Sequence, residues 1–205
     1  MTRLFFFLCL ILLPLQSHAE DVKLTPEQTQ LAEKLRTYLN ELKTLKGTFA
    51  QVSSTGSYAD GKVILQRPGK MRLTYNPPQQ TELIVRKGTI VYHDKEFRQV
   101  TYYPLNATPL AVLLQDTLSF EEDVRIIDLA QSPGVIELTL VDRDDPGMGT
   151  VTLVFSDAPI QLRKWVIVDA QGIMTQVSLL NAQTDVPVAS NAFDFIDPKY
   201  DLSNK

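Results

Sequence analysis

The chain has few of the residues on which catalytic and metal sites are built. Its 205 residues include one cysteine and two histidines. Cys9 and His18 lie in the N-terminal segment, so the rest of the chain has His93 and no cysteine. No G-x-S-x-G sequence marks a serine nucleophile, and no glycine-rich loop is present to hold phosphates. We therefore expect no enzyme, and a fold that is not held together by disulfides.

Two remaining features have a simple structural interpretation. His93 is predicted to be an exposed residue at a strand end rather than a general base or a metal ligand. Asp142, Asp144 and Asp145 precede a Pro-Gly pair, but they do not have the glycine and glutamate spacing of a helix–loop–helix calcium site. We interpret them as part of a solvated hairpin turn. The sequence thus predicts neither a metal site nor a bound cofactor.

The chain also lacks an apolar run long enough for an ordinary transmembrane helix. Its apolar run from Leu4 to Leu13 follows Arg3 and precedes Ser17-His18-Ala19, a small-x-small cleavage sequence. This order is typical of a secretory signal peptide, which we assign to residues 1–19. Cleavage would leave residues 20–205, a length suited to a single domain. We expect a soluble periplasmic protein without a lipid anchor.

Basic charge is not in excess. The chain has 24 acidic and 20 basic residues, and both signs are interspersed along it. A nucleic-acid-binding domain usually carries a clustered basic surface, so this composition argues against nucleic acid as a ligand. A monomer is the default expectation.

What the chain does contain is one strong helix signal followed by many strand signals. Thr25-Pro26-Glu27-Gln28 combines an N-cap threonine, a proline at the first helical position and a glutamine that closes a capping box. Apolar residues at helical spacing follow, namely Leu31, Ala32, Leu35, Tyr38, Leu39 and Leu42. From Leu45 to Thr101 the pattern changes to short strands separated by Gly and Pro turn signals.

The second half of the chain repeats the strand pattern after one interruption. Residues 106–118 predict a short helix within a loop, and strands are predicted at roughly 123–128, 134–141, 149–155, 160–168 and 173–180. Such an arrangement indicates a curved antiparallel sheet wrapped around helices. In Trp165-Val166-Ile167-Val168 four apolar residues run together, which predicts a strand with both faces at least partly covered. Either helices fill the concave side, which periodicity alone favours, or the space is incompletely filled and holds a ligand.

One corner of the predicted sheet is basic and leads into an apolar face. Arg67-Pro68-Gly69-Lys70 precedes Met71-Arg72-Leu73-Thr74-Tyr75, in which apolar and polar residues alternate as in a half-buried strand. Arg67 shares the odd numbering of the apolar positions, so it could lean toward the apolar face. The alternative is that Arg67 has no functional role. Arginines at strand ends commonly form surface ion pairs, and such pairs contribute little to stability.

These residues resemble a known family. The stretches Gly47-Thr48-Phe49-Ala50-Gln51, Arg67 to Tyr75, and Gly88 with Val91-Tyr92-His93-Asp94 are similar to the periplasmic outer-membrane lipoprotein carrier (LolA) family. Further similarity lies in Thr108-Pro109 with Leu113-Leu114, and in Leu162-Arg163-Lys164-Trp165 with Asp169-Ala170-Gln171-Gly172. The resemblance implies an α+β fold: an incomplete, unclosed antiparallel β-barrel wrapped around an N-terminal helix and a mid-chain helical lid.

The resemblance also implies which residues bind cargo, although each could equally be ordinary core. The acyl-chain surface would comprise Phe49, Met71, Leu73, Tyr75, Leu83, Val85, Val151, Leu153 and Phe155. The lid would comprise Pro109, Leu110, Val112, Leu113 and Leu114, for which a permanently docked amphipathic helix is the alternative. Arg67 would gate the lid by bonding its backbone carbonyls in the empty state.

The function implied is that of a carrier without catalysis or cofactor. It would take acylated lipoproteins from an inner-membrane ABC-type release complex and pass them to an outer-membrane lipoprotein acceptor. The alternatives are a lipid- or lipoprotein-sensing module, or a glycolipid carrier, of the same fold. A hydrolase of lipids or glycans is a further alternative, for which the sequence offers no nucleophile or carboxylate pair.

Overall fold

The computed structural model describes residues 22–200, so the predicted signal peptide lies outside the described residues. Within this range the chain forms two α-helices and eleven strands. Helix α1 is Pro26–Glu41 and α2 is Leu110–Leu114. The strands are β1 (Thr44–Ser53), β2 (Tyr58–Gln66), β3 (Lys70–Tyr75), β4 (Thr81–Arg86), β5 (Thr89–Asp94), β6 (Gln99–Pro104), β7 (Val124–Ser132), β8 (Val135–Asp142), β9 (Gly149–Asp157), β10 (Ile160–Asp169) and β11 (Met174–Thr184). Short 3-10 helices lie at Leu105–Ala107, Pro146–Met148 and Pro198–Tyr200.

Helix α1 begins as predicted. The Gln28 backbone N–H donates to the Thr25 hydroxyl at 3.2 Å, and the Thr25 N–H donates to Gln28 Oε1 at 3.0 Å, which completes the capping box. Its apolar stripe buries Ala32, Leu35 and Leu39. These side chains join the hydrophobic core beneath the sheet, so packing of this stripe fixes the helix inside the curve.

All eleven strands form one antiparallel sheet in the order β6-β5-β4-β3-β2-β1-β11-β10-β9-β8-β7. Strands β6 and β7 are its two edges, and neither pairs with a further strand of the described chain. The segment that joins these two edges carries α2. The predicted unclosed barrel around an N-terminal helix and a mid-chain helical segment is confirmed.

Contacts from α1 fix the helix against the concave face. The Leu162 backbone N–H donates to the Tyr38 hydroxyl at 3.0 Å, and the Tyr38 ring packs edge-on against Phe155 at 5.8 Å between centroids. At the start of the helix, Gln28 Nε2 donates to the Leu129 carbonyl at 3.2 Å. The helix therefore contacts strands β7, β9 and β10, the half of the barrel opposite β3.

Some predicted boundaries were wrong. Strand β7 continues to Ser132 and β11 to Thr184, because their polar ends pair with Val135 and Leu45 although they lack apolar alternation. The short helix predicted within the loop of residues 106–118 is confirmed as α2, and a 3-10 turn at Leu105–Ala107 precedes it. Thr108-Pro109 separates the two, since the residue before proline avoids helical backbone angles.

Both faces of several strands are covered, as predicted. In β10, Trp165 is buried in the core while Val166 and Val168 are half-buried on the opposite face. On the convex side of β4 and β5, Ile84 is fully buried and Val91 is 3% exposed. They alternate with core residues of the same strands, so something outside the barrel must cover them.

The cover of Ile84 and Val91 is the C-terminal segment, residues 186–197. Arg72 Nη1 donates to the Ala192 carbonyl at 2.8 Å, and Phe193 is buried. The Phe195 ring lies 5.4 Å from the ring of His93, between centroids. His93 is therefore half-buried rather than exposed, and the prediction of an exposed strand-end histidine was wrong because the sequence pattern gave no sign of this segment.

Candidate functional site

Arg67 holds the C-terminal end of α2. Its side chain is 5% exposed, and its Nε donates to the carbonyl oxygen of Gln115 at 2.7 Å. The backbone N–H of Gly69 donates to the Leu114 carbonyl at 2.8 Å. The last carbonyls of a helix have no partners within the helix, so the Arg67-Pro68-Gly69 corner supplies two of them with donors. We call the contact from Arg67 Nε to the Gln115 carbonyl the latch.

The latch leaves the guanidinium incompletely paired. Arg67 Nη1 is buried and has no hydrogen-bond partner within residues 22–200. Burial lowers the pKa of Arg67, and the charge of Asp116 partly opposes this effect. A buried cation with an unmet donor is costly relative to one in water. The buried guanidinium is therefore only partly compensated in this closed arrangement.

The predicted lid ends directly before Gln115, the residue that accepts the latch bond. Pro109, Leu110, Val112, Leu113 and Leu114 are all buried. The four helical members belong to the same hydrophobic core as Met71 and Leu73. A five-residue helix has almost no stability of its own. The lid is therefore kept in place by its apolar packing and by its contacts with the corner.

The predicted acyl-chain residues share one continuous surface on the concave side. Met71 pairs with Val85 and Leu73 with Leu83 in the β3–β4 register. The fully or almost fully buried members are Phe49, Met71, Leu73, Val85, Val151, Leu153 and Phe155, while Tyr75 and Leu83 are partly buried. The structure thus brings all nine together with the lid. They pack against the rest of the core rather than around an open space.

A polar pair interrupts this apolar surface. The Tyr75 hydroxyl donates to Gln51 Oε1 at 2.8 Å, and the Tyr75 ring packs edge-on against Phe49 at 5.2 Å between centroids. Burial raises the pKa of Tyr75 to about 12. The phenol therefore stays neutral at physiological pH, and the pair adds a hydrogen bond without adding charge.

An open cavity of about 740 Å³ lies at the N-terminal end of the lid. Ile90 and Tyr103 line it from strands β5 and β6, and Ile167 and Thr175 face them from β10 and β11. Pro109 and Leu110 of the lid form another wall, and the remaining lining comes from Ala107, Thr108, Asp145, Gly147, Met148, Asp169, Ala170 and Gln171. This volume is within the range of small-molecule sites.

Sequence reasoning missed most of this cavity. Ile167 could have been proposed from strand alternation, since it shares a face with the core residue Trp165 of its strand. Ile90 is paired with the core residue Val85 of the neighbouring strand. Tyr103 and Met148 carry no such signal, because they reach the cavity only once the barrel has curved. Of the residues predicted from sequence, Pro109 and Leu110 are the ones that line it.

A second cavity, of about 510 Å³, lies at the opposite end of the lid. Ala111, Leu114 and Gln115 line it from the lid side, and Gly88, Leu105, Asn106 and Asp142 complete it. The lid therefore has open volume at both of its ends.

The acidic segment after β8 forms a turn, as predicted. The Asp142 carboxylate accepts hydrogen bonds from the backbone N–H groups of Asp144 and Asp145, at 2.9 Å each, and the segment connects the paired strands β8 and β9. No group of three His, Cys, Asp or Glu residues within 22–200 is arranged to hold a metal ion. Neither helix of this part of the chain combines the length and apolarity that a membrane span requires.

Comparison with known proteins identifies the family. Residues 40–196 match the family model described as outer membrane lipoprotein carrier protein LolA. The outer-membrane lipoprotein carrier protein of Methylococcus capsulatus is 27% identical over 203 residues, covering 94% of each chain. That of Nitrosomonas europaea is 28% identical over 212 residues, covering 97% of each.

Solved structures are similar at low sequence identity. A putative outer membrane lipoprotein-sorting protein domain from Vibrio parahaemolyticus is 10% identical, with a TM-score of 0.49 over 80% of this chain and 95% of that one. A LolA superfamily protein from Nitrosomonas europaea is 7% identical, with a TM-score of 0.47 over 80% of this chain and 97% of that one. The family-model match covers most of the chain, and on this ground the protein belongs to the LolA outer membrane lipoprotein carrier family.

Proposed function

We propose that this protein is a periplasmic carrier, which binds the acyl chains of lipoproteins released from the inner membrane and delivers them to the outer membrane. The observation that carries the proposal is an apolar-walled cavity of about 740 Å³ next to a lid that one buried arginine holds by a single side-chain hydrogen bond. Family membership and the carrier names of the relatives support it.

The energetics of acyl chains explain why a carrier is required. Burying one methylene group is worth about 0.8 kcal/mol, so an acyl chain of about fifteen methylenes costs on the order of 12 kcal/mol to expose to water. A triacylated protein therefore does not cross an aqueous compartment unaided. Non-covalent affinity saturates near −18 to −21 kcal/mol, and a carrier that fully complemented such chains would not release them.

The burial of the predicted acyl-chain residues implies that the lid moves during loading. Met71 and Leu73 are buried, and they belong to the same hydrophobic core as Leu110, Val112 and Leu113 of the lid. Cargo that reaches this surface must therefore displace the lid, and contact with the acyl chains is the role we assign to the predicted acyl-chain residues.

Displacing the lid exchanges one set of apolar contacts for another. Leu110, Val112 and Leu113 leave the core, and acyl chains take their place against Met71 and Leu73. Because the lid side chains and the acyl chains are both apolar, the exchange changes the buried apolar area only slightly. Opening also exposes the guanidinium of Arg67, whose Nη1 lacks a partner among the described residues, and water can then hydrogen-bond to it in place of the Gln115 carbonyl. Arg67 thus acts as the gating residue, which favours the empty state without preventing loading. Met71 suits this task because its side chain adapts to irregular ligands.

The route and the partners follow from the carrier role. Residues 1–19 would act as a cleaved signal peptide that directs the chain to the periplasm. An inner-membrane ABC-type complex would supply acylated lipoproteins, and an outer-membrane acceptor would receive them. The carrier itself would work as a monomer and needs no covalent chemistry or cofactor, since ATP hydrolysis belongs to the release complex.

Co-purification tests this function. The full chain is expressed in a Gram-negative bacterium, purified from the periplasm without detergent, and analysed by native and denaturing mass spectrometry. A triacylated lipoprotein at near-unit stoichiometry is expected in the wild type and is lost in Leu110→Asp. Leu180→Asp serves as the matched control, because Leu180 is 49% exposed in β11. Circular dichroism checks that both variants fold. Bound glycolipid or free lipid would assign the carrier to a different cargo, and an empty protein would overturn the proposal.

A further inference from the structure

Two unmet hydrogen-bonding atoms lie on the two residues that form the latch. Arg67 Nη1 is a buried donor and Gln115 Oε1 a buried acceptor, and neither has a hydrogen-bond partner among the described residues. Gln115 Oε1 is also the one oxygen among the unpaired buried side-chain atoms of residues 22–200. Buried polar atoms are almost always paired in native proteins. A complementary unmet donor and acceptor on residues that already bond each other therefore require an explanation.

The position of Gln115 allows its side chain to change partners. The residue follows α2 directly and its backbone carbonyl accepts the latch bond from Arg67 Nε. The residue also lines the cavity of about 510 Å³ beside the lid. A residue that borders open volume has more freedom to change rotamer than one packed on all sides. The side-chain carbonyl is thus attached to the end of the lid, on the residue whose backbone Arg67 already contacts.

We propose that Gln115 is a second gating residue, whose side-chain carbonyl accepts a hydrogen bond from Arg67 Nη1 in an alternative closed state of the lid. This inference rests on the proposed carrier function and concerns the regulation of the same site. The lid then has two closed states. In the observed one, the latch is the single side-chain hydrogen bond from Arg67 to the lid; in the other, a second charge-assisted bond from Arg67 reinforces it. The balance between them sets how readily the lid opens to cargo.

The chemistry of the side chain predicts the direction of each substitution. In Gln115→Glu a carboxylate replaces the amide next to a guanidinium that has a free donor, so the reinforced state is favoured. In Gln115→Met the acceptor is removed and the shape is roughly kept, so the reinforced state is lost. A charge-assisted hydrogen bond corresponds to roughly a tenfold change in an equilibrium constant. We expect Gln115→Glu to slow ligand uptake by about this factor, and Gln115→Met to speed it, since the reinforced state present in the wild type is lost.

A double-mutant cycle tests the inference. The purified, detergent-free full chain is mixed with 11-(dansylamino)undecanoic acid in a stopped-flow instrument, and the rate of uptake is measured. Gln115→Glu and Gln115→Met are made in the wild type and in Arg67→Leu. We expect both Gln115 variants to change the rate of uptake in the wild-type background. In the Arg67→Leu background we expect no change, because the proposed donor, Arg67 Nη1, has been removed. Asn106→Asp is the control, since it places the same added charge on the same cavity away from the end of the lid.

The possible results separate this inference from the function on which it rests. Equal effects of Gln115→Glu in both backgrounds, or an equal effect of Asn106→Asp, would overturn the role of Gln115 while probe binding by the wild type kept the carrier proposal intact. Unchanged uptake by Gln115→Met in the wild-type background would overturn it too, because removal of the acceptor would then have no consequence. A wild type that neither binds the probe nor co-purifies with an acylated ligand would instead remove the carrier function itself. Thermal unfolding of each variant ensures that the rates are compared between folded proteins.

Discussion

Arg67 Nε lies 2.7 Å from the carbonyl oxygen of Gln115, so a corner between two strands is bonded to the end of a helix 48 residues further along the chain. The contact joins β2 of the barrel wall to the lid through one side chain.

Replacing Arg67 by leucine should impair function without impairing the fold. Exchanging an incompletely paired buried charge for an apolar side chain is often neutral or stabilising. We expect the melting temperature of Arg67→Leu to equal or exceed that of the wild type, while transfer of bound lipoprotein to an outer-membrane acceptor fails. Transfer is measured with purified loaded carrier and acceptor. Arg163→Leu, at an exposed position of β10, is the control, and normal transfer by Arg67→Leu would remove Arg67 from the gating role.

Tyr75 should make stability depend on pH in the alkaline range. Burial raises its pKa to about 12 in the folded protein, whereas an exposed tyrosine has a pKa near 10. The folded state therefore keeps a proton that the unfolded state loses, and the stabilisation is present below about pH 10 and lost as the pH rises toward about 12. At about 1.4 kcal/mol for each pKa unit, the loss is on the order of 2–3 kcal/mol.

The comparison of the wild type with Tyr75→Phe isolates this effect. The free energy of unfolding is measured by urea titration from pH 8 to pH 11.5 for both proteins. Tyr38 also titrates with a raised pKa because of burial, but it is present in both proteins and cancels in the difference. Plotted against pH, the free energies of unfolding of the wild type and of Tyr75→Phe should converge or cross as the pH rises, because only the wild type loses the stabilisation from Tyr75. A constant separation between them would show that Tyr75 does not titrate with a raised pKa.

The concave core should be more sensitive to truncation at the barrel wall than at the lid. Phe155 is fully buried and its ring contacts Tyr38 of α1, so Phe155→Ala should cost about 3–5 kcal/mol of unfolding free energy. Leu113 is also buried, but it lies on a short helix that can settle into the space left behind. We expect Leu113→Ala to cost about 2 kcal/mol, at the lower end of the range for leucine. Urea unfolding measures both, and equal costs would mean that the lid is as rigid as the wall.

The C-terminal segment should stabilise the fold through one side chain. Phe193 is 5% exposed and lies in the segment that covers the convex side of β4 and β5, so Phe193→Ala should cost about 3 kcal/mol or more. Ile196, three residues later, is 70% exposed, and Ile196→Ala should change stability by less than about 0.5 kcal/mol. Thermal unfolding and the binding of a hydrophobic dye compare the two variants. Similar behaviour of both would show that the segment is not part of the cooperative fold.

Local signals predicted the parts of the site that depend on neighbouring residues in the chain. The capping box at Thr25 and Gln28 and the alternation of Met71, Leu73 and Tyr75 are both set within a few residues. Arg67 faces the interior, as its odd numbering suggested, although Pro68 interrupts the strand beside it. Such features are decided by short-range geometry, which a sequence displays directly.

Features made by distant segments could not be predicted in the same way. Ile90 and Ile167 face one cavity because eleven strands curve until the two sides of the barrel meet, and no local pattern encodes that curvature. Phe193 is buried although it belongs to a C-terminal segment that contains none of the regular alternation of a strand. The half-burial of His93 has the same origin, since the ring that covers it belongs to Phe195.

The segment that carries the lid, residues 105–123, is the stretch of the described chain that joins one edge strand of the barrel to the other. It begins directly after β6 and ends directly before β7. A displacement of the lid is therefore expected to be coupled to the separation of these two edge strands. A cross-link between β6 and β7 should then restrict the opening of the lid as well as the separation of the strands.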